Sequence, residues 1–238
     1  MTEGYWIDMD HGYISENVQA TLYNICRVKQ ECGISKDILM VAAVKYADAE
    51  QIKHLCSVAG VKDLGENRVQ QLLEHYEVIG EGDVRWHFIG TLQTNKVKYI
   101  ADKVCMIHSV DSVKLAREID KQAKKHGRVI DVLVEINSGE EQSKSGVLPD
   151  EAEALCLEIS SLDNVSLKGF MTMAPRCEKK EDYIKYFSQT YAKSLDIWTK
   201  KLHNIGRPII SMGMSESYEA AIECGADIVR IGRSLFVK

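Results

Sequence analysis

Eight short runs of strand-forming residues alternate with stretches of helical spacing along nearly the whole chain, and this alternation restricts the fold more than any other feature. The runs cover 38–45, 62–66, 85–90, 104–110, 130–137, 166–173, 208–212 and 227–232. Ile130-Asp131-Val132-Leu133-Val134-Glu135-Ile136 is largely apolar along its length, as a parallel strand covered on both faces requires. Between the runs, Ser112 to Ile119 repeats apolar residues at three and four, with Asp111 or Ser112 placed to cap its start. Residues 150–160 follow Pro149, residues 180–202 form a longer amphipathic segment, and residues 14–31 form a helix ahead of the first strand. Strand alternating with helix implies parallel βαβ units. Eight of each in 238 residues predict a single closed (β/α)8 TIM-type barrel over 1–238, with an extra N-terminal helix. An open doubly wound sheet is the structural alternative, and no Gly-rich dinucleotide fingerprint supports it. The three prolines, Pro149, Pro175 and Pro208, sit at element edges and mark no linker.

The balance of 45% apolar and 27% charged residues is that of an ordinary globular protein. A net charge of -5 with interspersed signs offers no basic stripe for nucleic acid. No apolar run has the length of a membrane span, and Met1 to Trp6 lack the basic-then-apolar order of a signal peptide. The seven cysteines include no C-x-x-C pair and the seven histidines no metal-ligand spacing. The expectation is therefore a cytoplasmic protein with reduced thiols and no metal site, contacting neither nucleic acid nor membrane.

In a barrel of this kind, reactive residues lie at the C-terminal ends of strands. The first strand ends in Lys45. A desolvated lysine at the barrel rim can lose its proton and attack an aldehyde; a lysine that only marks the wet end of a strand is the bland alternative. The last two strand ends carry glycines and hydroxyls, in Ser211-Met212-Gly213-Met214-Ser215 and in Gly232-Arg233-Ser234. Barrels often hold phosphate between these two loops. Gly213 allows close backbone approach, Ser215 can cap a helix starting near Glu216 or offer its hydroxyl to an anion, and Gly232 and Arg233 face them from the other loop. Glycines serving only tight turns are the alternative. Arg230 shares a strand face with Gly232 and is flanked by Val229 and Ile231. It is read either as half of a structural ion pair with Glu135 or as a donor to a pyridine nitrogen, which must then be unprotonated because guanidinium only donates. Lysine, phosphate loops and arginine together suit an aldehyde bearing a phosphate and a pyridine ring, pyridoxal 5'-phosphate (PLP), held as an imine on Lys45. Asn67 and His87 are placed at the mouth, or alternatively in plain hydrogen-bonding roles. Glu66 is read as paired with a base such as Arg68.

Several blocks occur in a telling order: Gly65-Glu66-Asn67 with Val69-Gln70, Trp86-His87-Phe88-Ile89-Gly90 with Leu92-Gln93 and Asn95-Lys96, Gly169 to Ala174, Ser211 to Ser215, and Arg230-Ile231-Gly232. In these the chain resembles, from about residue 36 to 236, the pyridoxal phosphate homeostasis proteins, also called the proline synthase co-transcribed family. The resemblance implies a barrel like the N-terminal domain of alanine racemase, with PLP bound through Lys45. It also implies ring-nitrogen contact by Arg230 and phosphate loops drawn from Ser211, Gly213, Ser215 and Gly232; Met214, between two of these, is expected to be a further cofactor contact. Two departures stand out. The stretch around the lysine is Val44-Lys45-Tyr46-Ala47-Asp48, without the small hydroxyl residue before it or the lysine and proline after it. Arg233 follows Gly232 in place of Thr or Ser, so its backbone N–H is the expected phosphate contact.

The expected function is intracellular PLP (vitamin B6) homeostasis by a non-catalytic monomer that stores cofactor or delivers it to apo PLP-dependent enzymes. Alanine racemase resemblance would imply a second, β-rich domain with a tyrosine base, and the sequence has no spare segment for one; racemisation needs proton transfer on two faces. A PLP-dependent racemase or decarboxylase is the alternative, and a cofactor-free Schiff-base aldolase acting on a sugar phosphate is a third reading.

Overall fold

The computed structural model describes residues 11–80, 82–137, 145–201 and 206–238. Eight strands close into one barrel in sequence order: β1 Leu39–Ala43, β2 Asp63–Glu66, β3 Arg85–Phe88, β4 Val104–Val110, β5 Ile130–Glu135, β6 Val165–Met171, β7 Ile209–Met214 and β8 Ile228–Ile231. Each pairs in parallel with its neighbours, and β8 closes on β1 with Val41 opposite Arg230. The sequence-based expectation of a (β/α)8 barrel is met.

The outer ring departs from eight equal helices. The described α-helices are α1 Gly12–Glu31, α2 Ala49–Ser57, α3 Val69–Ile79, α4 Val113–Lys125, α5 Pro149–Ser160, α6 Lys180–Lys201 and α7 Tyr218–Glu223. A 3-10 helix, Thr94–Tyr99, joins β3 to β4, and another, Arg233–Leu235, follows β8. The extra N-terminal helix α1 packs against α2, α7 and this last 3-10 turn. It thereby covers the part of the wall that a long helix after β8 would have covered.

Strand alternation sorts the side chains into two layers. Met40, Ala42 and Val44 of β1 and its exit, Leu64 of β2, and Trp86 and Phe88 of β3 point outward into one continuous apolar layer beneath the helices. Val41, Met106, Leu133, Met171 and Ile228 form a separate plug inside the barrel. At about 25 cal/mol per Å2 of apolar surface buried, the outer layer supplies most of the driving force for closure.

Local caps fix the segments near the rim. Asp48 and Gln51 form a reciprocal capping box at the start of α2, with Gln51 N donating to Asp48 Oδ1 at 2.8 Å and Asp48 N to Gln51 Oε1 at 2.9 Å. Gln51 Nε2 also donates to the Tyr13 hydroxyl of α1 at 2.8 Å. Asp48→Ala is expected to cost about 1 kcal/mol, read as a lower urea midpoint with an unchanged slope. Ser112, one of the two candidates, caps α4 through Leu115 N, and α5 begins one residue earlier than the sequence predicts, with Pro149 inside its first turn. Ser215 does not cap α7: that helix starts at Tyr218 after Ser217, and the Ser215 hydroxyl is engaged elsewhere.

Candidate functional site

β1 ends at Ala43, so Lys45 stands just beyond the strand, on the same alternating row as the inward-facing Val41. Its backbone is anchored on two sides. Val44 N donates to Gly65 O at 3.0 Å, and Gln71 Nε2 of α3 donates to Lys45 O at 2.7 Å. The side chain is half-buried, with its Nζ 5.0 Å from the centre of the exposed Tyr46 ring.

Next to Lys45 round the wall, Gly65 lies opposite Ala43 on one side and His87 on the other. A Cβ on Gly65 would come 2.9 Å from Val41 Cγ1 and 3.0 Å from Ile89 Cδ1, so glycine keeps the inner wall open there. Asn67 follows, half-buried, its chain lying directly on Gly90. Glu66 points the other way. It is fully buried, accepts from His75 at 2.8 Å and from Asn67 N at 3.3 Å, and makes no pair with Arg68. Burial pushes its carboxyl above the usual range, and the bonds from His75 and Asn67 oppose that rise.

On the other side of Lys45, Arg230 is buried inside the barrel at 4% exposure. Its NH1 donates to Ser211 Oγ at 2.7 Å and its NH2 to Thr172 O at 3.0 Å. The ion pair with Glu135 considered from sequence is not a contact. Glu135 accepts from Ser145 Oγ at 2.8 Å and acts on Arg230 only through its charge. Burial lowers the guanidinium pKa to about 10, against the opposing pull of Glu135, so Arg230 remains cationic at neutral pH. Among the described residues, this buried cation is hydrogen-bonded to neutral oxygens alone.

The loops after β7 and β8 meet above Arg230. Gly232 N donates to Ser215 Oγ at 3.2 Å and ties the two together. Gly213 has φ +92°, and a Cβ there would lie 2.6 Å from Ala221 Cβ and 2.9 Å from Tyr218 Cα. Glycine is thus what lets α7 press against the end of β7. Met214 is exposed, and Met214 N donates to Ser217 Oγ at 3.2 Å. Arg233 turns outward to pair with Glu216 at 3.0 Å, which leaves its backbone, rather than its guanidinium, facing the loop junction. Ser211 differs from its neighbours: its hydroxyl is inside the barrel, bonded to Arg230 and 3.1 Å from His108 Nδ1.

His87 is likewise an interior residue at 2% exposure, set between Asp63 and His108 at 3.0 Å from each. Burial draws the Asp63 carboxyl upward, but the bonds from His87 and Arg85 prevail and hold it below the usual range. A depressed carboxylate pKa contributes stability above its unfolded value that is lost as pH falls through the folded value. Wild type is expected to lose urea stability below about pH 4, and Asp63→Asn, though weaker at pH 7, is expected to show a flatter acid limb.

Asp63, His108, Thr172 and Gln71 take part in these contacts without being among the residues the sequence marks out. His108 carries one usable signal, a polar residue at inward parity in a largely apolar strand. Among the described residues, no three His, Cys, Asp or Glu side chains are grouped to hold a metal ion.

The family model "Alanine racemase, N-terminal domain" matches residues 17–238. The pyridoxal phosphate homeostasis protein of Aquifex aeolicus is 45% identical over 222 residues, covering 93% of this chain and 96% of that one. This chain belongs to the pyridoxal phosphate homeostasis protein family. The member from Escherichia coli K12 is 30% identical over 228 residues, with 94% and 95% covered. Among solved structures, Synechococcus elongatus PipY with PLP bound superposes with a TM-score of 0.82 at 26% identity, covering 94% of this chain and all of that one (100%). Alanine racemase of Clostridium difficile shares the fold, with a TM-score of 0.72 at 21% identity; 94% of this chain matches 57% of that one.

Proposed function

We propose that this protein binds pyridoxal 5'-phosphate and serves intracellular vitamin B6 homeostasis without catalysing a reaction of its own, holding the cofactor as a Schiff base on Lys45. The observation that carries this reading is Arg230, a fully buried cation whose hydrogen-bonded partners are neutral oxygens. Such a group suits an electron-rich ring nitrogen, which accepts and does not need to be charged. The donor set fits the rest of the ligand. The Lys45 amine would hold the aldehyde end of the cofactor. Ser215, Gly213, Met214, Gly232 and the Arg233 backbone form the rim that takes the phosphate. Asn67 lines the mouth, while Ser211 and His87 act from inside the barrel. PLP supplies an electrophilic aldehyde there, and a ring left unprotonated by Arg230 withdraws electrons poorly, which suits holding the cofactor better than using it.

The family name carried by the relatives, and PLP in PipY, support the same reading. In it the chain works as a single barrel domain over 1–238, monomeric and cytoplasmic, giving cofactor to apo PLP-dependent enzymes. The test is a titration of purified protein with PLP, followed by an assay of Cα deuterium exchange over a panel of amino acids. A visible imine band with exchange far below about 1 s⁻¹, an ordinary enzyme turnover, is the expected result. Turnover at that level would make the protein a racemase or decarboxylase instead.

A further inference from the structure

Six side chains form a continuous hydrogen-bonded file through the barrel interior. At the lower rim, Arg85 Nε and NH2 donate to Asp63 at 2.7 and 2.6 Å. His87 Nε2 lies 3.0 Å from Asp63 Oδ1, and His87 Nδ1 lies 3.0 Å from His108 Nε2. His108 Nδ1 is 3.1 Å from Ser211 Oγ, which accepts from Arg230 NH1 at 2.7 Å. Arg85 is exposed, whereas His87, His108, Ser211 and Arg230 are all buried.

We infer that His87 and His108 are positioning residues that, through Ser211, set the Arg230 guanidinium as a fixed donor toward the cofactor site. Proton bookkeeping gives the file a direction. An ionised Asp63 only accepts, so His87 carries its proton on Nε2. With both imidazoles neutral, His87 Nδ1 must accept from His108 Nε2–H, and His108 Nδ1 must accept from the Ser211 hydroxyl. The Ser211 proton is then committed to His108, and its lone pairs are left for Arg230. Burial holds His108 well below the usual histidine range, in keeping with a neutral ring. The second Arg230 anchor, Thr172 O, is steadied in turn by Thr172 Oγ1 donating to Ile136 O at 3.1 Å. Two guanidinium nitrogens are thus fixed from below, and the plane of the third is set by them.

This inference rests on the PLP reading, so its test has one arm that does not use PLP. Nitrogen-15 NMR of histidine-labelled apo protein at neutral pH is expected to show His87 and His108 both neutral with the proton on Nε2. A cationic ring at either position, or His108 protonated on Nδ1 alone, would overturn the proposed direction. In the second arm, His108→Phe keeps an aromatic ring there, somewhat larger than imidazole, and removes both bonds. It is expected to weaken PLP binding about tenfold, the worth of roughly one hydrogen bond, and to shift the absorbance band of the bound cofactor. Ser211→Ala should match it, and the double variant should be no worse than either single, because His108 acts through Ser211. His108→Asn, whose amide oxygen can replace Nδ1 as acceptor, should recover most of the affinity. Equal affinity in the Phe and Asn variants, or fully additive losses, would refute the positioning role. Absence of PLP binding in wild type would instead defeat the PLP reading and leave the NMR result standing.

Discussion

Lys45→Ala is expected to abolish the imine absorbance band of bound PLP, leaving that of the free aldehyde, and to weaken binding on the order of 100-fold or more, about 2.7 kcal/mol. The size of this effect follows from what the remaining residues provide. Arg230 and the rim of Ser215 and Gly232 stay in place, so phosphate and ring contacts survive as reversible interactions. Lost is the bond that converts an open-mouthed encounter into retention. The barrel should barely notice: Lys45 is half-buried, its backbone bond from Gln71 is independent of the side chain, and its ring neighbour Tyr46 is already exposed. Removing one exposed-ring contact of about 0.5–1 kcal/mol should leave the thermal midpoint within a few degrees. A variant that kept the absorbance band would show that another amine carries the cofactor.

Gly90→Ala should produce the largest loss of stability among the variants considered, with a secondary loss of PLP affinity. The obstacle is space. An added Cβ would sit 2.3 Å from Asn67 O and 2.7 Å from both Asn67 Cα and Cβ. None of these contacts can be relieved by turning the end of a long side chain. On its far side Gly90 is held by Ser109 Oγ, which donates to Gly90 O at 2.5 Å. The loops after β2 and β3 must therefore separate, at a cost of about 1–3 kcal/mol for overpacking, which lowers the thermal midpoint by about 2–4 °C per kcal/mol. Because Asn67 is the segment displaced, affinity for PLP should fall together with stability. A differential scan superimposable on wild type would contradict this account of the rim. The same substitution at Gly82, where nothing lies within 4 Å, is the matched control.

The barrel was legible because each strand declared itself locally. β4 ran over 104–110 in sequence and in structure alike, with β5 and β6 displaced only at their ends. The lysine, which proves to lie two residues past the end of β1, and the two glycine loops were legible for the same reason: strand ends need no knowledge of partners. Eight helices are expected from the alternation, but the connection after β3 holds none; Thr94-Asn95-Lys96-Val97-Lys98-Tyr99 is short, and a 3-10 turn spans it with Val97 as its buried anchor. Partners were harder. Glu66 went to His75, nine residues away on α3, and not to Arg68, because residue 66 points outward from the wall while Arg68 lies at the exposed N-cap. Arg230 went to Ser211 and Thr172 and not to Glu135. Which inward residues meet across a closed barrel depends on register and stagger, and the register shifts between β7 and β8, at Ser211 and Met214. The Ser211 hydroxyl thus bonds Arg230 inside the barrel, while Ser215 joins the loop junction at Gly232.

Reductive trapping reads the chemistry most directly. Protein equilibrated with PLP is treated with borohydride, digested, and mapped by mass spectrometry. A stable phosphopyridoxyl group on the peptide containing Val44-Lys45-Tyr46, and on that lysine alone, is the result this account predicts. A label spread over surface lysines, or an unmodified Lys45 in protein that has demonstrably taken up PLP, would contradict it.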